Sequence, residues 1–414
     1  MLVRMNQGKK GTRRRILFYF ISPSITGGAN TGLVQLIRAL PRDQYHLYLV
    51  VPREPTKEER TLLSTLVADI AVVPMSGWWT KNIARPWHRR TLTEAAVAAR
   101  SLFYIRPVSE LIRLIRKWHI DLVYTGSAMI LDAALAAKLA RKPHIWHIKE
   151  KIGKNGTTQF YLPDRLVVRL IDFLSSQVIV MGDFVAECFI RHGRTAKVIK
   201  IYDGVDPSDF DPTVDGKRLR RCLGIKDDEL LVGLIASIGA VWKKHEIFIH
   251  MAAILKEILP QVRFIHFGHI PIPGQHSRHR YNALCRMIDD LGLSDRFIWG
   301  GVVTSIPEMM AALDLLVHPT DVEPFGRIAI EAMAAGRPIV GAAGGGIAES
   351  VVNGETGFLV PPDEPKAFAE AALRVLKDSH LGRRMGESGA RRVRQQFSID
   401  QHVKQMTEVF DSTI

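Results

Sequence analysis

The sequence predicts an α/β protein of two doubly wound, Rossmann-like domains facing a central cleft. Three observations carry this. Short apolar runs alternate with helical patterns along the whole chain, the pattern of parallel sheets covered by helices. The series breaks once, at an Asp-, Pro- and Gly-rich stretch over residues 203–212, and then starts again. A chain of 414 residues with 47% hydrophobic content has room for two or three cores, and the single break favours two.

Before the break, strands are expected at 16–22, 46–51, 70–73, 122–125, 145–148, 178–181 and 198–202, with helices between them that include 29–40 and 109–118. After it, strands are expected at 230–235, 262–267, 297–299, 315–318 and 339–341, with helices through 246–258 and 281–291. The expected domains are 1–205 and 206–396, leaving a last helix over about 397–414.

No apolar run reaches the roughly 18 residues that span a bilayer. Arg13-Arg14-Arg15 followed by the apolar residues 16–21 imitates a secretory signal, but the run is short, lacks a cleavage site and leads into Gly27-Gly28, so it reads as a first buried strand. Cys188, Cys222 and Cys285 are isolated and odd in number, which argues against disulfides and fits a reducing cytoplasm. A net charge of +14 and a pI near 9.8 point to an anionic partner.

The chemistry concentrates in Glu323-Pro324-Phe325-Gly326-Arg327-Ile328-Ala329-Ile330-Glu331, where two carboxylates bracket a Pro-Phe-Gly turn at the start of an apolar helix. A helix start offers unpaired N–H groups and a positive dipole end, which suits a diphosphate. Carboxylates accept hydrogen bonds from sugar hydroxyls. A site for a nucleotide-activated sugar follows.

The pattern continues through Gly336-Arg337-Pro338, Gly344-Gly345-Gly346 and Asn353-Gly354-Glu355-Thr356-Gly357, and this block resembles the donor site of the retaining family 4 glycosyltransferases, which share the two-domain GT-B fold. The resemblance implies that Glu331 holds the ribose and Glu323 the transferred sugar, while residues 324–328 (Pro324, Phe325, Gly326, Arg327 and Ile328) bind the donor. It also implies that the last helix crosses back onto the first domain. Trp242-Lys243-Lys244-His245-Glu246 resembles the family's diphosphate segment, which places Lys243 on its phosphate-binding lysine. Where the family commonly has Gly-Arg before that lysine, this chain has Ser237-Ile238, and Arg327 or Lys244 is the expected substitute cation. Gly27 and Gly28, after the first strand, would let backbone approach the donor. His147, in Trp146-His147-Ile148-Lys149-Glu150, resembles the family histidine that contacts the sugar.

Metal-like spacings are read otherwise. Asp209-Phe210-Asp211 lies among linker aspartates, and His266-x-x-His269 and His276-x-x-His279 belong to a strand and a Pro-rich loop, so neither a cofactor nor a metal is expected. An acid-free basic N-terminus, together with Trp78, Trp79 and Trp87 interleaved with Lys81 and Arg85–Arg90, has the composition of a membrane-interface anchor. No nucleic-acid motif accompanies it. The expected function is retaining transfer from a nucleotide-diphosphate sugar to a glycan or lipid-linked acceptor, in the cytoplasm or on the inner face of an anionic membrane. A nucleotide-sugar epimerase and a non-catalytic sugar-nucleotide-binding protein are the alternatives.

Overall fold

A computed structural model describes residues 13–24, 28–80, 105–153, 156, 158–210, 214–275, 277–303 and 305–414. The first sheet is all parallel, with β1 (Arg14–Tyr19), β2 (Tyr45–Val51), β3 (Asp69–Val72), β5 (Leu122–Thr125), β6 (His144–Ile148), β8 (Gln177–Val180) and β9 (Val198–Lys200) in the order β3-β2-β1-β5-β6-β8-β9. Between them, β4 (Trp79–Thr80) and β7 (Gln159–Phe160) form a short antiparallel pair that the sequence did not suggest. The second sheet orders β10 (Leu230–Ile235), β11 (Val262–Phe267), β12 (Phe297–Gly301), β13 (Leu315–His318), β14 (Ile339–Ala342) and β15 (Gly357–Val360) as β12-β11-β10-β13-β14-β15. In both sheets the order reverses beside the first strand, so each has a switch point where a crevice opens at the strand C-termini.

The strands form where the sequence places apolar residues on both faces. Leu122–Thr125 and His144–Ile148 are buried throughout, as central strands covered by helices must be. The sheets are joined twice. Asp203, Gly204 and Val205 leave the first sheet, and residues 397–399 return beside them, with Val205 N donating to Phe397 O at 2.9 Å and Ile399 N donating to Val205 O at 2.7 Å. The approach is close enough to demand glycine, because a Cβ on Gly204 would lie 2.8 Å from His402 Cβ.

The last helix, Ile399–Thr413, packs against helix Gly28–Ala39 of the first half. Its residues Met406, Val409 and Phe410 complete that half's core. The Phe410 ring lies within 6.4 Å of the rings of Phe18, Tyr45 and Tyr124, while Asp411 pairs with Arg14 and accepts from the Tyr45 hydroxyl.

Trp78 departs from its expected place at a membrane surface. It is 5% exposed, its indole N–H donates to Ala128 O and Met129 O, and its ring packs on Phe160 and Trp146, so the neighbouring cations did not reveal its burial. Trp79 is half-buried, whereas Lys81, Arg85–Arg90 and Trp87 fall outside the described residues. Among the described residues no helix is long and apolar enough to cross a membrane.

Phe410 is fully buried, so Phe410→Ala should cost about 3–5 kcal/mol by removing apolar contact and leaving a cavity. Chemical denaturation read by circular dichroism checks this. A loss below about 1 kcal/mol would mean that the helix is not part of the first core.

Candidate active site

The densest chemistry lies at the switch point of the second sheet. His318 ends β13, and the chain then runs through Glu323 to Gly326, whose φ of +82° caps helix Arg327–Ala334 in a left-handed conformation that glycine adopts without strain. The Gly344–Gly346 loop supports this turn from behind. Gly346 N donates to Glu323 O at 2.7 Å, and a Cβ on Gly345 would lie 2.8 Å from the same oxygen.

Lys243 closes the short 3-10 helix Val241–Lys243 after β10 and forms an ion pair with Glu323. His318 Nε2 lies 3.7 Å from the same carboxylate. Burial by itself would raise the Glu323 carboxyl, but Lys243 and then His318 outweigh it and hold Glu323 well below the usual carboxylate range. Burial lowers His318, leaving a neutral imidazole beside a fixed anion.

Glu331, one turn along the helix, is 8% exposed and accepts from Arg327 Nε at 2.9 Å. Burial raises its carboxyl and Arg327 opposes that rise. The rest of the guanidinium reaches across the chain. Nη1 donates to Gly204 O at 2.9 Å and lies 3.7 Å from Asp203 Oδ2, while Nη2 donates to the Gln35 side chain on helix Gly28–Ala39. That helix can come so near because a Cβ on Gly32 would stand 2.9 Å from Asp203 Oδ2 and 3.1 Å from Arg327 Nη1.

Asp203 is itself paired with Lys149 Nζ at 3.1 Å, with both side chains 3% exposed. Burial would raise Asp203, but Lys149 and Arg327, with lesser help from His402 and His147, hold it well below its usual range. His147 sits beside this cluster, fully buried, with Nδ1 2.6 Å from the Tyr124 hydroxyl. Burial and the Lys149 charge keep it neutral. A second link between the halves is Glu349, whose carboxylate accepts from Asp183 N and Phe184 N, both at 2.9 Å. It caps helix Asp183–Arg191, whose N-cap residue Gly182 has no side chain of its own.

The sequence-predicted residues thus fall into two groups. Glu323, Lys243 and the 324–328 turn converge, as do Arg327 and Glu331, with the Phe325 ring buried and stacked on Tyr202. Gly28 opens its helix, and Gly27 lies outside the described residues. The two candidate substitute cations are already engaged: Arg327 as above, and Lys244 with Asp321 at 2.6 Å and Asp363 at 2.9 Å. Ile238 is buried. His266 meets His245, Nε2 to Nε2 at 3.2 Å, while His269 faces Gln275. Lys149, Asp203, His318, Gln35 and Glu349 were not singled out by sequence.

Two family models match the sequence along the chain. One, described as Glycosyltransferase Family 4, covers residues 26–209, and the other, Glycosyl transferases group 1, covers residues 215–392. The chain belongs to the family 4 glycosyltransferases. It is 27% identical over 285 residues to an uncharacterized glycosyltransferase of Methanocaldococcus jannaschii, covering 66% of this chain and 70% of that one. It is 30% identical over 227 residues to the lipopolysaccharide core biosynthesis mannosyltransferase LpsB of Rhizobium meliloti, covering 53% of this chain and 64% of LpsB. Among solved structures, Anabaena HepE in complex with UDP and glucose superposes with a TM-score of 0.78 at 25% identity, covering 97% of this glycosyltransferase and all of HepE. The GT-B fold follows from that superposition and from the two parallel sheets.

In this glycosyltransferase Lys149→Met should destabilise the fold by about 3–5 kcal/mol, because it leaves the Asp203 charge buried without its nearest partner. Adding Asp203→Asn should restore much of that loss. The Asp203 carboxyl is depressed in the folded chain, so the stability it confers is present above about pH 4 and is lost as pH falls through its native value. Denaturant melts of the single and double variants at pH 7 and pH 3 check both statements, and additive losses at pH 7 would refute the pairing.

Proposed function

We propose that this glycosyltransferase moves a hexosyl group from a UDP-sugar to a glycan or lipid-linked acceptor, with retention at the anomeric carbon and without a divalent metal. The observation that carries the reading is the ionised Glu323 held between Lys243 and His318 just before a helix start, with Glu331 one turn into that helix. The likeness to HepE, solved with UDP-glucose, supports uridine as the donor base. The net charge of +14 supports an acidic or membrane-presented acceptor.

In this reading the uridine ribose bonds to Glu331, whose carboxylate Arg327 holds in one orientation. The diphosphate takes the Lys243 charge together with the N–H groups at the start of helix Arg327–Ala334. Lys243 exchanges one anion for another, and Glu323 becomes available to the sugar hydroxyls. The bond from the anomeric carbon to the phosphate oxygen breaks, the acceptor oxygen bonds to that carbon on the same face, and the acceptor proton passes to the departing phosphate. Stabilising that leaving diphosphate is the main electrostatic contribution. His147, fully buried beside Lys149 and Asp203, acts as a positioning residue that holds this cluster rather than as a contact to the sugar.

Glu331→Ala should weaken UDP binding by on the order of ten- to a hundredfold, the loss of one good hydrogen bond to a charged group. Glu323→Ala should keep UDP binding and lose transfer. Calorimetry with UDP and a transfer assay in EDTA, with mass spectrometry of the product, read both outcomes. Equal loss of UDP affinity in the two variants would refute the division of roles, and transfer that needs added manganese or magnesium would refute the metal-free reading.

A further inference from the structure

The second domain carries another constellation at the opposite end of its sheet, beside the N-terminal ends of central strands. A cavity of about 590 Å³ opens beside Leu230, which begins β10, and Pro338, which precedes β14. It also touches Asp314, which precedes β13, so the length of that strand, about 13 Å at 3.3 Å per residue, separates it from His318, while Ala334 brings to it the far end of the helix that carries Glu331. Its volume lies within the range of small-molecule sites.

The lining divides by chemistry. Leu230, Val375 and Leu376 give it an apolar floor, while Arg337, Arg383, Arg391 and Arg394 bring four guanidinium groups to it. Arg383, Glu387, Arg391 and Arg394 follow one another at intervals of four, four and three on helix Ser379–Gln396, and so share one face. Among the described residues the three helix arginines are exposed and form no ion pair, and Arg391 donates only to the Ser388 hydroxyl at 2.9 Å.

Arg337 has no carboxylate partner either. Its Nη2 donates to Ala311 O at 2.8 Å, and its Nε is buried without a partner among the described residues. The nearby Asp314 carboxylate is taken by Arg220 Nη1 at 3.0 Å and Leu231 N at 2.7 Å. Four cations therefore face one uncommitted carboxylate, Glu387, across an apolar floor. Such an excess of guanidinium is matched by a polyvalent oxyanion, since guanidinium forks pair with phosphate oxygens two at a time.

We propose that this cavity is a second anion-binding site, separate from the donor site, for a phosphoryl-bearing organic molecule. The phosphoryl group sits among Arg383, Arg391 and Arg394, and the body of the molecule lies on Leu230, Val375 and Leu376. A soluble phosphate ester and the headgroup of an anionic phospholipid share this chemistry.

The test compares the full chain with its Arg383→Glu/Arg391→Glu/Arg394→Glu variant, whose changes are on an exposed face and spare the core. UDP affinity, measured first, should be the same in both. With UDP saturating the donor site, inorganic phosphate titrated by calorimetry should bind the parent protein at least tenfold more tightly than the variant. In a parallel arm, cosedimentation with phosphatidylcholine vesicles containing phosphatidylglycerol is measured for both proteins. A variant-sensitive loss in the phosphate arm assigns a soluble ester, and one confined to the vesicle arm assigns a lipid headgroup. If neither phosphate nor vesicles distinguish the two proteins, the proposal is overturned. Should UDP fail to bind at all, the phosphate comparison without UDP still decides this site, because the three substitutions are on a different helix from Glu331, whose carboxylate pairs with Arg327.

Discussion

The Arg327 guanidinium is the constraint on which the donor site depends. One fork steadies Glu331 on the same helix, and the remaining N–H groups reach Gly204 in the crossover and Gln35 in the first domain. A buried guanidinium is stable only when its donors and its charge are answered. Asp203 supplies the nearby negative charge and is in turn answered by Lys149. The position of Glu331, the domain spacing and the crossover are therefore set by one chain of polar contacts, which explains why Gly32 carries no side chain where helix Gly28–Ala39 passes over it.

Around Glu323 the logic differs. Its carboxylate is ionised because Lys243 and the neutral His318 outweigh burial, so the site keeps a fixed anion where a sugar with many hydroxyls would sit and its paired cation where a diphosphate would arrive. Arg327 belongs to the domain interface and Lys244 to Asp321 and Asp363, which leaves Lys243 as the cation paired to the reacting end of the site. The helix start carries the rest of the phosphate binding in this account.

Much of this was legible in the chain. The strands at 230–235 and 315–318 are short, mostly apolar runs, and 262–267 keeps Val262, Phe264, Ile265 and Phe267 around Arg263 and His266; all three fold as strands. Gly357–Val360 was not recognised as a strand because its four residues begin with glycine directly after a turn, and Trp79–Thr80 is too short to show a period. The carboxylate pair was visible because both members lie on one local motif. Lys149 with Asp203, and Glu349 with Asp183, join residues 54 and 166 positions apart, and no local pattern announces such partners. Trp78 misled because composition near a tryptophan reports its neighbours in sequence, whereas burial depends on Phe160 and Trp146.

The central claim is that Arg327 serves the donor through Glu331. A double-mutant cycle on UDP affinity tests it most directly, with Arg327→Leu, Glu331→Ala and the pair measured by calorimetry at one salt concentration. The account predicts that Arg327→Leu weakens UDP binding by on the order of tenfold in the parent, roughly the value of one oriented hydrogen bond to a charged group, and has little further effect once Glu331 is alanine. Equal losses in the two backgrounds would contradict it, because Arg327 would then be acting on the nucleotide by a route that does not pass through Glu331.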